Sequence, residues 1–365
     1  MSRRRSRGEG SIYFLEKKGL WVAKVTLPDG SRKVKYSKTQ KVVREWLVAS
    51  QNAIRQGSFV KDDGLILSEY LTRYMEDVGK HNLRPKTIEV YSYLIRLHII
   101  PSIGHLRLVH LRPDHLQTLY SQKLESGLSK RTVQFIHSIL HKTLDQAMKW
   151  GLVPRNVSDL VEAPSPKRRP PTIFDSNQVN TFLNSVKEHR YYPIYVLAIY
   201  CGFREGEVLG IHFEDIDLEK GMINVRHAVQ ALKGGIVITE PKTESSRRSV
   251  TVPEFALDVL KKHLEQLENN QGLIFSTSTG KPISPRNLIR HFKKALATAG
   301  LPEIRFHDLR HTSATLLLSA GVHPKVVQER LGHSQISLTL DTYSHVLPTL
   351  QEDAAEKING ILSHP

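Results

Sequence analysis

The stretch FHDLRHTSA, from Phe306 to Ala314, sets His307 and His311 four residues apart, with Asp308 and Arg310 between them. On a helix, residues four apart share a face, so the two imidazoles can act on one ligand. Two chemistries fit such a face. In the first, two helical histidines hold zinc and the acid between them works as a base, the H-E-x-x-H pattern with Asp in place of Glu. In the second, His307 and Arg310 grip an anion, because a guanidinium fork matches two oxygens of a phosphate.

The zinc reading is the weaker. It needs a third protein ligand, and the extended pattern asks for Gly at 314 and His at 317, where this chain has Ala314 and Leu317. Only His323 and His333 remain as distant ligands, and Arg310 would set a cation beside a dication. The phosphate reading gains partners elsewhere in the chain. GFREGEVLGIHFEDID carries Arg204, followed by Glu207 and Asp215; TEPKTESSRRSV carries Lys242 in a turn; RLGHSQISLTLDTYSHV carries His333 and, ten residues on, Tyr343. Taken singly, Arg204 reads as a salt-bridge partner of Glu207, Lys242 as a solvated turn residue and Tyr343 as a core residue. Taken together, over about 140 residues, they supply two guanidiniums, one ammonium, two imidazoles and a phenol. No metal and no cofactor are expected.

In order and spacing, Arg204, Lys242, His307-x-x-Arg310, His333 and Tyr343 resemble the signature of the tyrosine recombinases, the phage-integrase family, with the usual residue at all six positions. HIIPSIGHLRLVHL also resembles the family's core-binding domain, and the N-terminal strands resemble its arm-type DNA-binding domain. The resemblance implies that Tyr343 is a nucleophile and that strands pass through a 3′-phosphotyrosyl intermediate. It implies His307 as base, Lys242 as acid and His333 as a hydrogen bonder to the phosphate. Glu207, Asp215 and His311 are then supporting residues. The residue types suit the task on physical grounds: two guanidiniums can bear the charge of a five-coordinate phosphorus without a metal, and a phenol of pKa near 10 needs a base or a cationic site to ionise. Rival readings are a zinc hydrolase, a type I topoisomerase with the same tyrosine chemistry, and a DNA-binding regulator that has lost catalytic residues. None of the six is lost here.

The elements that must position these groups are legible from pattern. With 365 residues, 39% hydrophobic and 24% charged, the chain has the size of two or three soluble domains. No apolar run approaches the ~20 residues of a membrane helix, and one cysteine, Cys201, excludes an internal disulfide. The net charge of +16 is concentrated at one end: residues 1–60 hold 14 Lys and Arg against 4 Asp and Glu, a net of +10. That is the footprint of a polyanion binder.

The expected fold is multidomain α+β. Residues 1–60 are read as an arm-type module with a basic tail, three short strands (SIYFLE, LWVAKVTL, SRKVKYS) and one helix capped by Thr39. Residues 61–162 read as an all-α bundle, with Ser129 capping its last long helix and Gly151 stopping it. Residues 163–171 form a Pro-rich basic linker. Residues 172–365 read as a mostly helical domain with a small antiparallel sheet, a β-meander over GMINVRHAVQAL, GIVITEPK and RRSVTVP, then GLIFS as a strand. Candidate DNA contacts are Arg3, Arg4, Arg5, Lys24, Lys33 and Lys35 in the arm module, Lys86, Lys130 and Arg131 in the bundle, and Lys167, Arg168 and Arg169 in the linker.

The partner implied by the resemblance is double-stranded DNA, at core and arm attachment sites, gripped in a C-shaped clamp and assembled as a homotetramer. A DNA-bending protein or an excisionase is a possible accessory, and the place of work is the cytoplasm and nucleoid of a bacterial host. The amphipathic segment after Tyr343 is a candidate for exchange between protomers.

Overall fold

The computed structural model describes residues 10–27, 30–55, 60, 62–166, 172–240, 247–267, 271–332, 356 and 358–362. The chain divides into two compact units, Met1–Lys167 and Arg168–Pro365, a boundary that falls inside the proline-rich basic stretch.

The first unit has two separate cores. Three strands, β1 (Ser11–Leu15), β2 (Leu20–Thr26) and β3 (Arg32–Ser37), form an antiparallel sheet in the order β1-β2-β3. Side chains of a strand alternate between faces, so Ala23 and Val25 point one way and Lys24 the other. Against the first face packs the helix Gln40–Arg55, whose Val43 and Leu47 lie one turn apart and are buried with Ala23, Val25 and Leu27.

The second core belongs to the helices Leu67–Tyr74, Pro85–Leu94, Pro113–Glu125 and Lys130–Lys149. The first two are prolonged by π-helical turns, Met75–Gly79 and Ile95–Ile99. Leu71, Leu116, Ile136 and Ile139 are fully buried, each contributing about 1.5–3 kcal/mol relative to exposure. Ser129 caps the last helix by accepting the Thr132 N–H at 3.2 Å, and Gly151, at φ 69°, follows its end.

The second unit is built on one large apolar core that runs from Phe174 to Leu309. Its helices are Ser176–Ser185, Tyr192–Tyr200, Glu205–Leu209, Glu254–Glu265, Pro285–Thr298, Phe306–Ser319 and Pro324–Leu331. The strands depart from the expected meander. GMINVRHAVQAL breaks at Arg226 and His227 into β5 (Met222–Val225) and β6 (Ala228–Leu232). After β4 (Ile216–Asp217), β5 pairs with β8 (Arg248–Thr251), whereas β6 pairs only with β7 (Gly235–Thr239), a hairpin of its own. GLIFS forms isolated bridges at Leu273 and Ser276 rather than a strand. Among the described residues no helix is long and apolar enough to cross a membrane.

Candidate active site

Asp308, the acid of HDLRH, is taken up by the start of its own helix. Its Oδ2 accepts the backbone N–H of Arg305 at 2.8 Å, and both oxygens pair with the Arg305 guanidinium at 2.7 and 3.1 Å. The carboxylate is 3% exposed. It satisfies an otherwise orphaned N–H at the helix N-terminus and stabilises the positive end of the helix, and is not turned toward a site between the two histidines.

Two residues further on, Arg310 is 1% exposed, the largest fully buried side chain of the described residues. Its Nη1 donates to Gly202 O at 2.7 Å and its Nη2 donates to Leu331 O. Gly202 must be glycine: its φ is +67°, and a Cβ there would stand 2.5 Å from Leu331 Cδ2. That close approach brings the segment leading into Arg204 against the end of the helix Pro324–Leu331. Arg204 precedes the short helix Glu205–Leu209, and its Nη2 donates to Gly332 O at 3.3 Å. A third guanidinium, Arg248 on β8, donates from Nε to Arg330 O at 2.7 Å. Arg248, Arg310 and Arg204 therefore hold three consecutive carbonyls, those of residues 330, 331 and 332. Helix C-terminal carbonyls are unpaired within the helix and partly negative, so cations gather there.

Glu207 is a carboxylate that Arg204 and Arg248 share. It is 5% exposed; its Oε1 accepts from Arg204 Nη1 at 2.5 Å and from Arg248 Nη1 at 3.2 Å, and its Oε2 accepts from Arg248 Nη2 at 2.9 Å. Burial works against the charge, but Arg248, Arg204 and Arg310 outweigh it and bring the pKa down to about 2.

His307 stands beside this cluster, its ring edge-on to His311 at 4.9 Å between centroids. The residue is exposed to solvent. Desolvation by the surrounding protein, then the charges of His311, Arg310 and Arg204, pull its pKa down to about 4, so the ring is neutral at pH 7. The unprotonated ring has a lone pair free of a proton, and the same cations that keep it neutral weaken it as a base.

Asp215, expected to orient Arg204 and the local fold, is bonded to the local fold. It is 2% exposed and accepts the His212 N–H at 3.1 Å. His227 Nδ1 is 3.4 Å from its Oδ2 and Arg226 Nε 3.8 Å from its Oδ1. Its bonds tie the turn before β4 to the β5–β6 break. Three residues that can bind metal meet there, His212, Asp215 and His227, beside the Arg226 cation.

Lys242, His333 and Tyr343 lie outside the described residues, as do Arg3, Arg4, Arg5, Lys167, Arg168 and Arg169. Of the other basic candidates, Lys130 and Arg131 are exposed in the first turn of Lys130–Lys149, and Lys86, also first-turn, pairs with Glu89 at 3.2 Å. The arm lysines divide by face. Lys33 and Lys35 stand opposite Val25 and Ala23, on the side of the sheet covered by the helix; Lys24 shares the open side with Tyr13, Tyr36 and Arg32. Arg32 was missed, although alternation with Val34 and Tyr36 could have found it. Arg248 was missed too. Its signal was a charged residue two before an apolar one, Val250, in RSVT: both point inward.

Comparison with known proteins covers both units. Residues 172–349 match the phage integrase family and residues 66–124 match the phage integrase N-terminal SAM-like domain. A tyrosine recombinase XerC-like protein of Caldanaerobacter subterraneus subsp. tengcongensis is 28% identical, over 90% of this chain and 92% of its own. The ICEBs1 integrase of Bacillus subtilis is 28% identical, over 76% of this chain and 79% of its own. Among solved structures, the Tn1549 transposon integrase in complex with transposon right end DNA superposes with a TM-score of 0.70 at 21% identity, covering 80% of this chain and all of that one. A lambda integrase tetramer bound to a Holliday junction gives 0.60 at 17% identity, covering 93% and 96%.

Proposed function

We propose, from the premise that this chain belongs to the phage integrase family, a residue-level account of how it cuts and rejoins DNA. The chain is a tyrosine-type site-specific recombinase of mobile elements. Tyr343 attacks the scissile phosphorus; the bond to the 5′-oxygen breaks, the phosphate stays on the tyrosine as a 3′-phosphotyrosyl ester, and the 5′-oxygen leaves with a proton. His307, neutral at pH 7, takes the phenolic proton, and Lys242 supplies the proton to the leaving oxygen. Arg204, the exposed guanidinium, meets the non-bridging oxygens on which charge develops; Arg310, buried with its terminal nitrogens on two carbonyls, adds its positive charge without direct contact, and His333 adds a hydrogen bond to the phosphate. The incoming 5′-hydroxyl of a second strand reverses the sequence, so one ester is exchanged for another and no nucleotide energy is consumed.

What carries this account is the meeting of Arg204 and Arg310 on adjacent carbonyls of one helix end, with His307 near enough to feel both charges. Exchange of four strands calls for four protomers on two DNA sites, with a bending protein or excisionase setting direction. The domains would be an arm module at 1–60, a core-binding bundle at 61–162, a linker at 163–171 and the catalytic domain at 172–365.

The test is a nicked suicide duplex, built from the junction at which the element encoding this chain joins host DNA, incubated with the full chain in EDTA. A covalent adduct should form and map by mass to Tyr343. Adduct lost on chelation and restored by zinc would overturn the metal-free account.

The arm module gives a second expectation. Lys24→Ala and Arg32→Ala in the full chain should each reduce the salt slope of duplex binding by about one, the loss of one phosphate contact. Lys33→Ala and Lys35→Ala, on the helix-covered side, should change it less. Equal effects from all four, measured by filter binding across a salt series, would show that the open face has no special part.

A further inference from the structure

We infer that Arg248 is a positioning residue for strand cleavage: it neutralises and clamps Glu207 so that Arg204 keeps both its aim and its net positive charge for the DNA phosphate. The inference rests on the recombinase account and adds a residue to it.

A buried carboxylate within 2.5 Å of Arg204 raises a difficulty. Glu207 orients Arg204, holding its Nη1 while its Oε2 accepts the Arg204 N–H at 3.0 Å. The same carboxylate would cancel the charge that Arg204 has to present to a phosphate. Arg248 removes the conflict. It meets Glu207 with both terminal nitrogens, a fork on a carboxylate, the strongest geometry open to such a pair. Arg204 and Arg248 bond the carboxylate and Arg310 acts on it through charge alone, so three guanidiniums stand against one carboxylate, and the surplus of two positive charges is what a phosphorane needs.

Exposure separates the roles. The Arg204 side chain is 35% exposed and can reach a substrate, whereas those of Arg248 and Glu207 are 6% and 5% exposed. Among the described residues Arg248 is held by Glu207, by Arg330 O through its Nε, and by the face of Phe203, 5.7 Å away. It sits on β8, paired with β5, and thus couples the sheet to the arginine cluster. A side chain so placed cannot touch DNA without leaving its partners, so it acts through Glu207 and Arg204.

The experiment is a double-mutant cycle in the full chain, read as single-turnover adduct formation on the nicked duplex, with duplex affinity measured alongside. Arg248→Met keeps the length of the stem and removes the fork. It should slow cleavage by about tenfold to a hundredfold, the cost of a displaced catalytic group, while affinity stays within about twofold. Glu207→Gln should be slow as well, and the double variant no slower than the slower single, because both losses reach the phosphate through one carboxylate. Arg248→Lys, which restores the charge without the fork, should recover part of the rate.

Cleavage by Arg248→Met at the parental rate would overturn the inference, and so would losses that multiply in the double variant. If circular dichroism shows Arg248→Met unfolded, the cycle is read with Arg248→Lys and the same criteria. Failure of the parent itself to form adduct would instead strike the recombinase account, so the two failures are distinguishable.

Discussion

Tyr343→Phe is expected to abolish the covalent protein–DNA adduct while leaving affinity for the duplex within about twofold of the parent. Loss of a nucleophile typically costs on the order of 10⁴-fold or more in rate, whereas affinity for DNA comes from phosphate contacts that one hydroxyl hardly alters. The nicked suicide duplex reads the first quantity on a denaturing gel and filter binding reads the second. An adduct that persists in the variant would mean another nucleophile. The unit offers other phenols close to Arg204 in sequence, and the structure ranks them. Tyr195 is fully buried, with burial raising its pKa, and bonds His291 Nδ1 at 2.7 Å. Burial also raises the pKa of Tyr192. Tyr191 and Tyr200, each partly open to solvent, would be the ones to test.

The parts of this protein that could be read from sequence are those where the physics is local. Helix periodicity and caps depend on neighbours a few residues away, so Ser129, Gly151 and the helix around His307 and Arg310 were found in place. The expected meander failed because strand pairing is not local. The alternation in INV and SVT shows which side of each strand is apolar, but not that β5 would choose β8 across a separate hairpin. The lysine faces of the arm sheet were obscured for a related reason. Lys33 and Lys35 read as equivalent to Lys24 until register sets them opposite Val25 and Ala23, on the other face of the sheet, where Lys35 is still exposed.

The arginine cluster shows the limit from the other side. Residue types, order and the family resemblance named Arg204, Arg310 and His307, and the structure sets the two guanidiniums on one helix end. They did not reveal what holds it together. Three consecutive carbonyls at one helix end and a single buried carboxylate do that work, and both are products of packing. Asp308 makes the same point in reverse. From its position it could be the base of a zinc site, yet its hydrogen bonds commit it to Arg305 and the helix start.

Lys242→Ala should separate proton donation from simple charge. On normal DNA the variant should cleave about 10²–10⁴-fold more slowly, the usual contribution of a general acid. Lys242 falls between the end of β7 at Thr239 and the start of β8 at Arg248, in the chain segment that leads directly into the arginine cluster. A substrate with sulfur in place of the bridging 5′-oxygen departs as a thiolate, whose conjugate acid has a pKa of roughly 8–9, far below that of an alcohol. It needs little protonation, so on this substrate the variant should approach the parental rate. Arg204→Ala and Arg310→Ala should be equally slow on both substrates, because their charges act on the non-bridging oxygens, which the sulfur leaves unchanged. A Lys242→Ala deficit of the same size on oxygen and on sulfur would reduce Lys242 to a phosphate contact. The proton would then have to come from His333, the next residue after Gly332, whose carbonyl Arg204 holds, and His333→Ala tested on the same pair of substrates should show the rescue that Lys242→Ala did not.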